Sequence, residues 1–266
     1  MQALLCQLGS ALGDPARNAE RAADAILTHA DVDLAVFPEL YLGGYSYQGL
    51  ERSARTVDDE EVLVVRRACA EAGTVAVVGF AERTAAGLAN SAAILDRDGS
   101  VAAVYRKTQL FGGEGEAFVP GEELLVLPLL GRRIAPLICF DIEFPEPARA
   151  VALAGADLLV TASANMRPFY VDHEVASKAR AVENRVAHLY ANAVGRGDEF
   201  VFVGGSRAVS PLGEVVAEGS DDREELLVVD VPEPGGVDER VDYLRALRPV
   251  SPVRVLDLAH SERRHT

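Results

Sequence analysis

RRIAPLICFDIEFPEPARAVALAGADLLVTAS, residues 132–163, passes from strand to helix and back to strand. IAPLIC is a short apolar run, PARAVALAGA reads as a helix starting near Pro147, and DLLVTAS is a second apolar strand. Cys139 ends the first strand, and Asp141, Glu143 and Glu146 follow it directly. A thiol becomes a nucleophile by losing its proton, and neighbouring carboxylates oppose that loss. Cys139 is therefore either buried filler or a nucleophile whose positive partner lies elsewhere in the chain. α/β folds present ligands beyond strand ends, but on position alone the buried reading is favoured, because free cysteines are usually inert.

The same alternation extends outward in both directions. ALLCQL (3–8) reads as a strand, and Pro15 to about His29 as an amphipathic helix with Ala19, Ala22, Ile26 and Leu27 on one face. LAVFPE is a strand halted at Pro38, roughly 58–72 a helix, and TVAVVGF a buried strand. Strands at 90–95 and 101–105 flank the turn DRDG as a hairpin. KTQLFGGEGEAFVPG reads as a loop, DHEVASKARAVENRVA as a helix and HLYANAV as a strand. GGSRAVS and EVVAEG are strands joined at PLG, and ELLVVDV is the last. Helices between apolar strands define an α/β fold with sheets covered by helices, and no linker divides it. Val237, Val241, Leu244 and Leu247 suggest a short helix in the tail.

Lys and Arg number 26 against 41 Asp and Glu, a net charge of -15. That balance argues against a nucleic-acid partner, and none is expected, since phosphate binding needs concentrated positive charge. No run approaches twenty apolar residues, and MQALLCQLGS lacks the basic start of a secretory signal, so no membrane is expected. Cys6, Cys69 and Cys139 are odd in number and widely spaced, which suits free thiols in a reducing cytoplasm.

There is no G-x-S-x-G, LFGGEGE lacks the G-K-[ST] ending of a phosphate loop, and the five histidines form no metal motif. His188 reads as a core histidine, and His173 as one that could approach a pocket. Glu39, after VFP, and Lys107, after VAAVYR, also stand just past strands. Burial would raise a glutamate there toward neutrality and suit it to base work. With Cys139 the set is nucleophile, proton acceptor and a cation able to stabilise thiolate and oxyanion.

PEL (38–40), YRKTQLFGGEGEAF (105–118) and CFDIEFPE (139–146) resemble the three signature segments of the nitrilase superfamily, the carbon–nitrogen hydrolases. The resemblance continues through GADLLVTASANM, ARAVENRVAHLYANAVG and GGSRAVSPLGEVVAE, over nearly the whole chain. It implies a four-layer α-β-β-α sandwich in a single carbon–nitrogen hydrolase domain, residues 1–266. Residues from about 232 form a tail that lies on its own domain or on a partner subunit, and a homodimer or higher homo-oligomer is implied. Glu39 becomes the general base, Lys107 the oxyanion-stabilising cation, Cys139 the nucleophile, and Glu114 the acid that positions Lys107 and substrate. The backbone N–H of residue 140 becomes the second oxyanion donor, and Glu143 and Glu146 become architectural. No metal or organic cofactor is implied.

One departure is visible. Gln109 stands where the lysine segment usually has histidine, so a titrating role there is lost. Asn165, Met166, Phe169 and Tyr170 are candidates to meet the acyl group, with Tyr45 and Phe140 at the rim. The chain most resembles the small amidase branches, so the implied reaction is hydrolysis of a small carboxylic amide through a thioester. Nitrilase and N-carbamoyl hydrolase activities are the alternatives, and a catalytically silent binding module is the non-enzymatic one.

Overall fold

The computed structural model describes residues 1–235, 238 and 242–249. Its first half runs β1 (Gln2–Gln7), α1 (Pro15–Thr28), β2 (Leu34–Val36), α2 (Leu50–Ser53), α3 (Glu60–Ala72), β3 (Val75–Thr84), β4 (Gly87–Leu95) and β5 (Val101–Arg106). There follow α4 (Glu114–Ala117), β6 (Leu127–Leu129), β7 (Arg132–Ile138), a 3-10 turn at Cys139–Glu143, α5 (Pro145–Leu153), β8 (Leu158–Ser163) and α6 (Tyr170–Asn184). The chain then forms β9 (Ala187–Asn192), β10 (Val194–Gly197), β11 (Phe200–Val203), β12 (Arg207–Val209), β13 (Val215–Glu218), β14 (Glu225–Asp230) and α7 (Tyr243–Ala246).

Local chemistry sets the boundaries. Asp14 caps α1 by accepting the Arg17 N–H at 3.1 Å, and Pro15 takes the first helical position. Gly73, at φ +68°, ends α3 in the left-handed conformation that glycine adopts without strain. The β4–β5 hairpin turns at Gly99, also left-handed.

Two six-stranded sheets result, in the orders β14-β1-β2-β3-β4-β5 and β13-β12-β9-β8-β7-β6. Strand alternation divides the apolar side chains into layers. Leu4, Cys6 and Phe37 face α1 and α3, whereas Leu5, Val36 and Val77 face the second sheet. There they meet Ile138, Leu158, Val160 and Leu189. Leu137 and Leu159 point the other way, onto Ala148, Val151 and Ala176 of α5 and α6. Helix, sheet, sheet and helix are thus stacked in four layers, the α-β-β-α sandwich.

Five short elements depart from the sequence reading. α2, β6 and the β10–β11 hairpin were not anticipated, and the loop at 107–121 contains α4. The strand expected through Val194 ends at Asn192, whose side chain accepts the Asn165 N–H at 2.7 Å and donates to the Gly204 carbonyl at 2.7 Å. Val237 and Val241 lie outside the described residues. Tyr243 lies under the Arg185 guanidinium, 4.3 Å from its ring centroid, and Leu244 joins the core beneath α6, so this part of the tail touches its own domain.

Candidate active site

β7 carries the chain to the middle of the molecule and stops at Cys139, which has φ +43° and is buried. A non-glycine residue in that conformation is strained, and such strain gathers where a side chain must be presented at a sharp turn. In the 3-10 turn that follows, the Asp141 carboxylate is taken up by donors other than the thiol. Asp141 accepts five hydrogen bonds, from the Ile138 N–H (2.9 Å), the Tyr105 hydroxyl (2.8 Å), the Thr108 N–H and hydroxyl (3.2 and 2.8 Å) and the Gln109 N–H (2.9 Å). It ties the cysteine turn to the lysine segment, so the position that lacks histidine contributes its backbone. Glu146 is exposed in the first turn of α5, where a carboxylate complements the helix dipole.

Lys107 emerges at the end of β5 from the first sheet and is fully buried. Its Nζ lies 2.6 Å from Glu39 Oε1 and 3.0 and 2.8 Å from the Glu114 oxygens. Glu39 sits in the loop after β2, and its Oε2 accepts the Ala164 N–H at 3.1 Å from the end of β8. Glu114 is the first residue of α4 and accepts the Phe111 N–H at 2.8 Å. Asn90 on β4 joins the two acids by donating to Glu39 at 2.7 Å and Glu114 at 3.0 Å. Nothing in the sequence marks Asn90, which belongs to no motif and sits in a strand buried along most of its length. Close backbone approach makes the arrangement possible, since a Cβ on Gly79 of β3 would lie 2.8 Å from Glu39 Cα.

Electrostatics decide where the protons rest. Burial pushes the Glu39 carboxyl up to about 7, against the pull of Lys107, and the Glu114 charge adds to the rise. Burial alone would lower the Lys107 ammonium, but Glu39 and Glu114 together raise it and keep it charged. Burial raises the Cys139 thiol well above its usual value, with Glu39 adding to the effect, while Lys107 and hydrogen bonds from Ser163 and the Ala164 backbone oppose it. The resting site therefore holds a neutral thiol beside a fixed cation and a carboxyl poised near neutrality. Such an arrangement can move one proton from sulfur to Glu39 without changing the net charge of the buried cluster.

A cavity of about 10 Å³, room for one water, opens at Cys139. Phe111, Phe140, Glu143, Asn165, Met166, Phe169 and His173 line it. Phe140, Asn165, Met166 and Phe169 are thus brought to the thiol. Tyr170 is not among them and faces a neighbouring groove with Arg167 and Arg207. Tyr45, placed at the rim by the sequence, is buried beside Glu39, and its hydroxyl donates to Glu114 at 3.0 Å. Phe111 and Glu143 were not foreseen in the cavity wall. His173 does reach it, held by Glu143 at 3.1 Å and the Tyr190 hydroxyl at 2.8 Å, and burial lowers its pKa. His188 is a core residue bonded to Thr161 and the Ser177 carbonyl. Among the described residues, no group of three or more His, Cys, Asp or Glu could hold a metal ion. No helix among them is long and apolar enough to cross a membrane.

Residues 3–235 match the carbon-nitrogen hydrolase family, and the chain belongs to it. It is 36% identical over 252 residues to an (R)-stereoselective amidase of Pseudomonas sp, covering 93% of this chain and 92% of that one. A nitrilase of Pyrococcus abyssi is 30% identical over 232 residues, covering 85% and 87%. Among solved structures, a cysteine-to-serine mutant of the Nesterenkonia AN1 amidase from the nitrilase superfamily superposes with a TM-score of 0.84 at 33% identity, covering 93% of this chain and 95% of that one.

Proposed function

We propose that this carbon–nitrogen hydrolase cleaves small carboxylic amides to acid and ammonia or amine through a thioester on Cys139. The observation that carries the reading is Lys107 Nζ clamped between Glu39 at 2.6 Å and Glu114 at 2.8 Å beside a thiol at a strained strand end. Nesterenkonia amidase variants have been captured with butyramide and with an acetamide moiety attached to the active-site cysteine, which supports amides over nitriles.

Glu39 takes the thiol proton as sulfur attacks the amide carbon, and the developing thiolate and oxyanion both lie in the field of Lys107. The Phe140 N–H, at the start of a 3-10 turn where it has no partner within the turn, is the second oxyanion donor. Glu39 then returns its proton to the nitrogen, the C–N bond breaks and ammonia leaves. Water gives a proton to Glu39 while attacking the thioester, and Glu39 passes that proton to the departing sulfur. Glu114 and Asn90 hold Lys107 and Glu39 in register through both halves.

The test is ammonia release from acetamide, propionamide, butyramide, matching nitriles and N-carbamoyl compounds, with mass spectrometry of acid-quenched protein. Amide turnover with an acyl adduct on Cys139, and neither in Cys139→Ala, is the expected result. Turnover of nitriles or carbamoyl compounds alone would replace the amidase reading, and no turnover with intact fold would leave a binding module. We further place the protein in the cytoplasm as a homo-oligomer. Three free buried thiols support the first, and the exposed Phe144, Tyr170, Val171 and Val175 beside the site support the second.

A further inference from the structure

The cavity at Cys139 contains one charge that hydrolysis does not use. Glu143 ends the 3-10 turn that begins at the nucleophile, so its Cα stands about 8 Å along the turn from that of Cys139. Its side chain is 25% exposed, and its Oε1 meets His173 Nε2 at 3.1 Å. Burial lowers the His173 pKa and favours the neutral ring, so this contact is a hydrogen bond without a compensating charge. Among the described residues, no Lys or Arg side chain comes within 4.0 Å of the Glu143 carboxylate. Arg180 passes alongside but donates to the Ile142 and Glu143 carbonyls and to the Glu183 carboxylate.

The rest of the wall is aromatic. Phe111 packs against Phe140 with centroids 5.3 Å apart and against Phe169 at 5.5 Å, and Met166 completes the lining. An aromatic wall that also holds a carboxylate suits an ammonium group, which both ring quadrupoles and charge attract. A substrate carboxylate would find the reverse, because Lys107 is already shared by Glu39 and Glu114. Arg167 and Arg207 line the neighbouring groove instead.

We infer that Glu143 is a specificity residue that binds a protonated amine on the acyl group, so that short α- or β-amino amides are the favoured substrate class. This rests on the amidase reading above. Cys139 and Glu143 line the same small cavity, and a two- or three-carbon amino acyl group on the sulfur would extend from the thiol toward the carboxylate. His173 positions Glu143, and Tyr190 and Ser163 hold His173 from behind.

The experiment compares kcat/KM for isosteric pairs: 3-aminopropanamide against butyramide, alaninamide against isobutyramide, and succinamate as the anionic member. The native enzyme should prefer each amino member by at least about tenfold, as expected when a charged partner is lost from a partly enclosed site. Glu143→Gln, which keeps an acceptor for His173, should bring the ratio within each pair close to unity, mostly through KM. Glu143→Arg should turn the preference toward succinamate. A native enzyme that hydrolyses butyramide as well as 3-aminopropanamide overturns this inference and leaves the amidase reading standing. A native enzyme inert toward every amide overturns both. Should the variants not fold, the native ratios alone decide. A preference that survives Glu143→Gln assigns the amine to another group and overturns the role of Glu143.

Discussion

At the scale of single residues, Lys107 is the point on which the site's charges balance. Two buried carboxylates at 2.6 and 2.8 Å are tolerable only with the ammonium between them. Lys107→Met should abolish turnover and cost about 3–5 kcal/mol of stability in denaturant titration at neutral pH. The deficit should shrink as pH falls, because protonating the stranded carboxyls removes their repulsion. A second expectation concerns the native enzyme. Glu39 must be ionised to accept the thiol proton, and burial sets its carboxyl at about 7. kcat/KM should therefore fall below that pH, about tenfold per unit, and Glu39→Gln should remove both the activity and this acidic limb.

Elements act by delivering these residues from different layers to one place. Glu39 follows β2, Lys107 ends β5, Cys139 ends β7, and Ala164, beyond β8, donates to Glu39. The loop after β2 lies flat on β3 only because Gly79 has no side chain, and a Cβ there would sit 2.8 Å from Glu39 Cα. Gly79→Ala should displace Glu39 and lower kcat/KM by about 10²-fold, with circular dichroism showing the sheets retained. Asp141 fixes the other approach by accepting five donors from β5, β7 and the lysine segment. Asp141→Asn replaces one acceptor oxygen with an N–H facing those donors. It should destabilise the protein by about 2–4 kcal/mol and lower activity through Lys107 and Cys139 together, as read by thermal unfolding and kinetics.

On the scale of the whole molecule, stability rests on the layer between the sheets, where Leu5, Val77, Leu158 and Leu189 interlock. Leu158→Ala should cost about 2–5 kcal/mol by transfer and cavity terms, measured in urea, while leaving the active-site loops on their strand ends. The amino-acid sequence by itself determined the order of the longer strands and helices, because apolar period and turn residues are local properties. It also determined the candidate set Glu39, Lys107, Glu114 and Cys139, because each stands just past a strand or in a signature segment. The short β10–β11 hairpin and α4 were not legible, since tertiary hydrogen bonds rather than periodicity end β9 at Asn192 and anchor Glu114. Only the tertiary structure decided that Asn90 bridges two acids and that Tyr45 lies behind Glu114. It alone turned Asp141 away from the thiol and left Glu143, two residues on, in the cavity wall. Charge in a sequence carries no direction. Direction comes from the turn that follows Cys139 and from which donors the second sheet and its neighbour bring within reach.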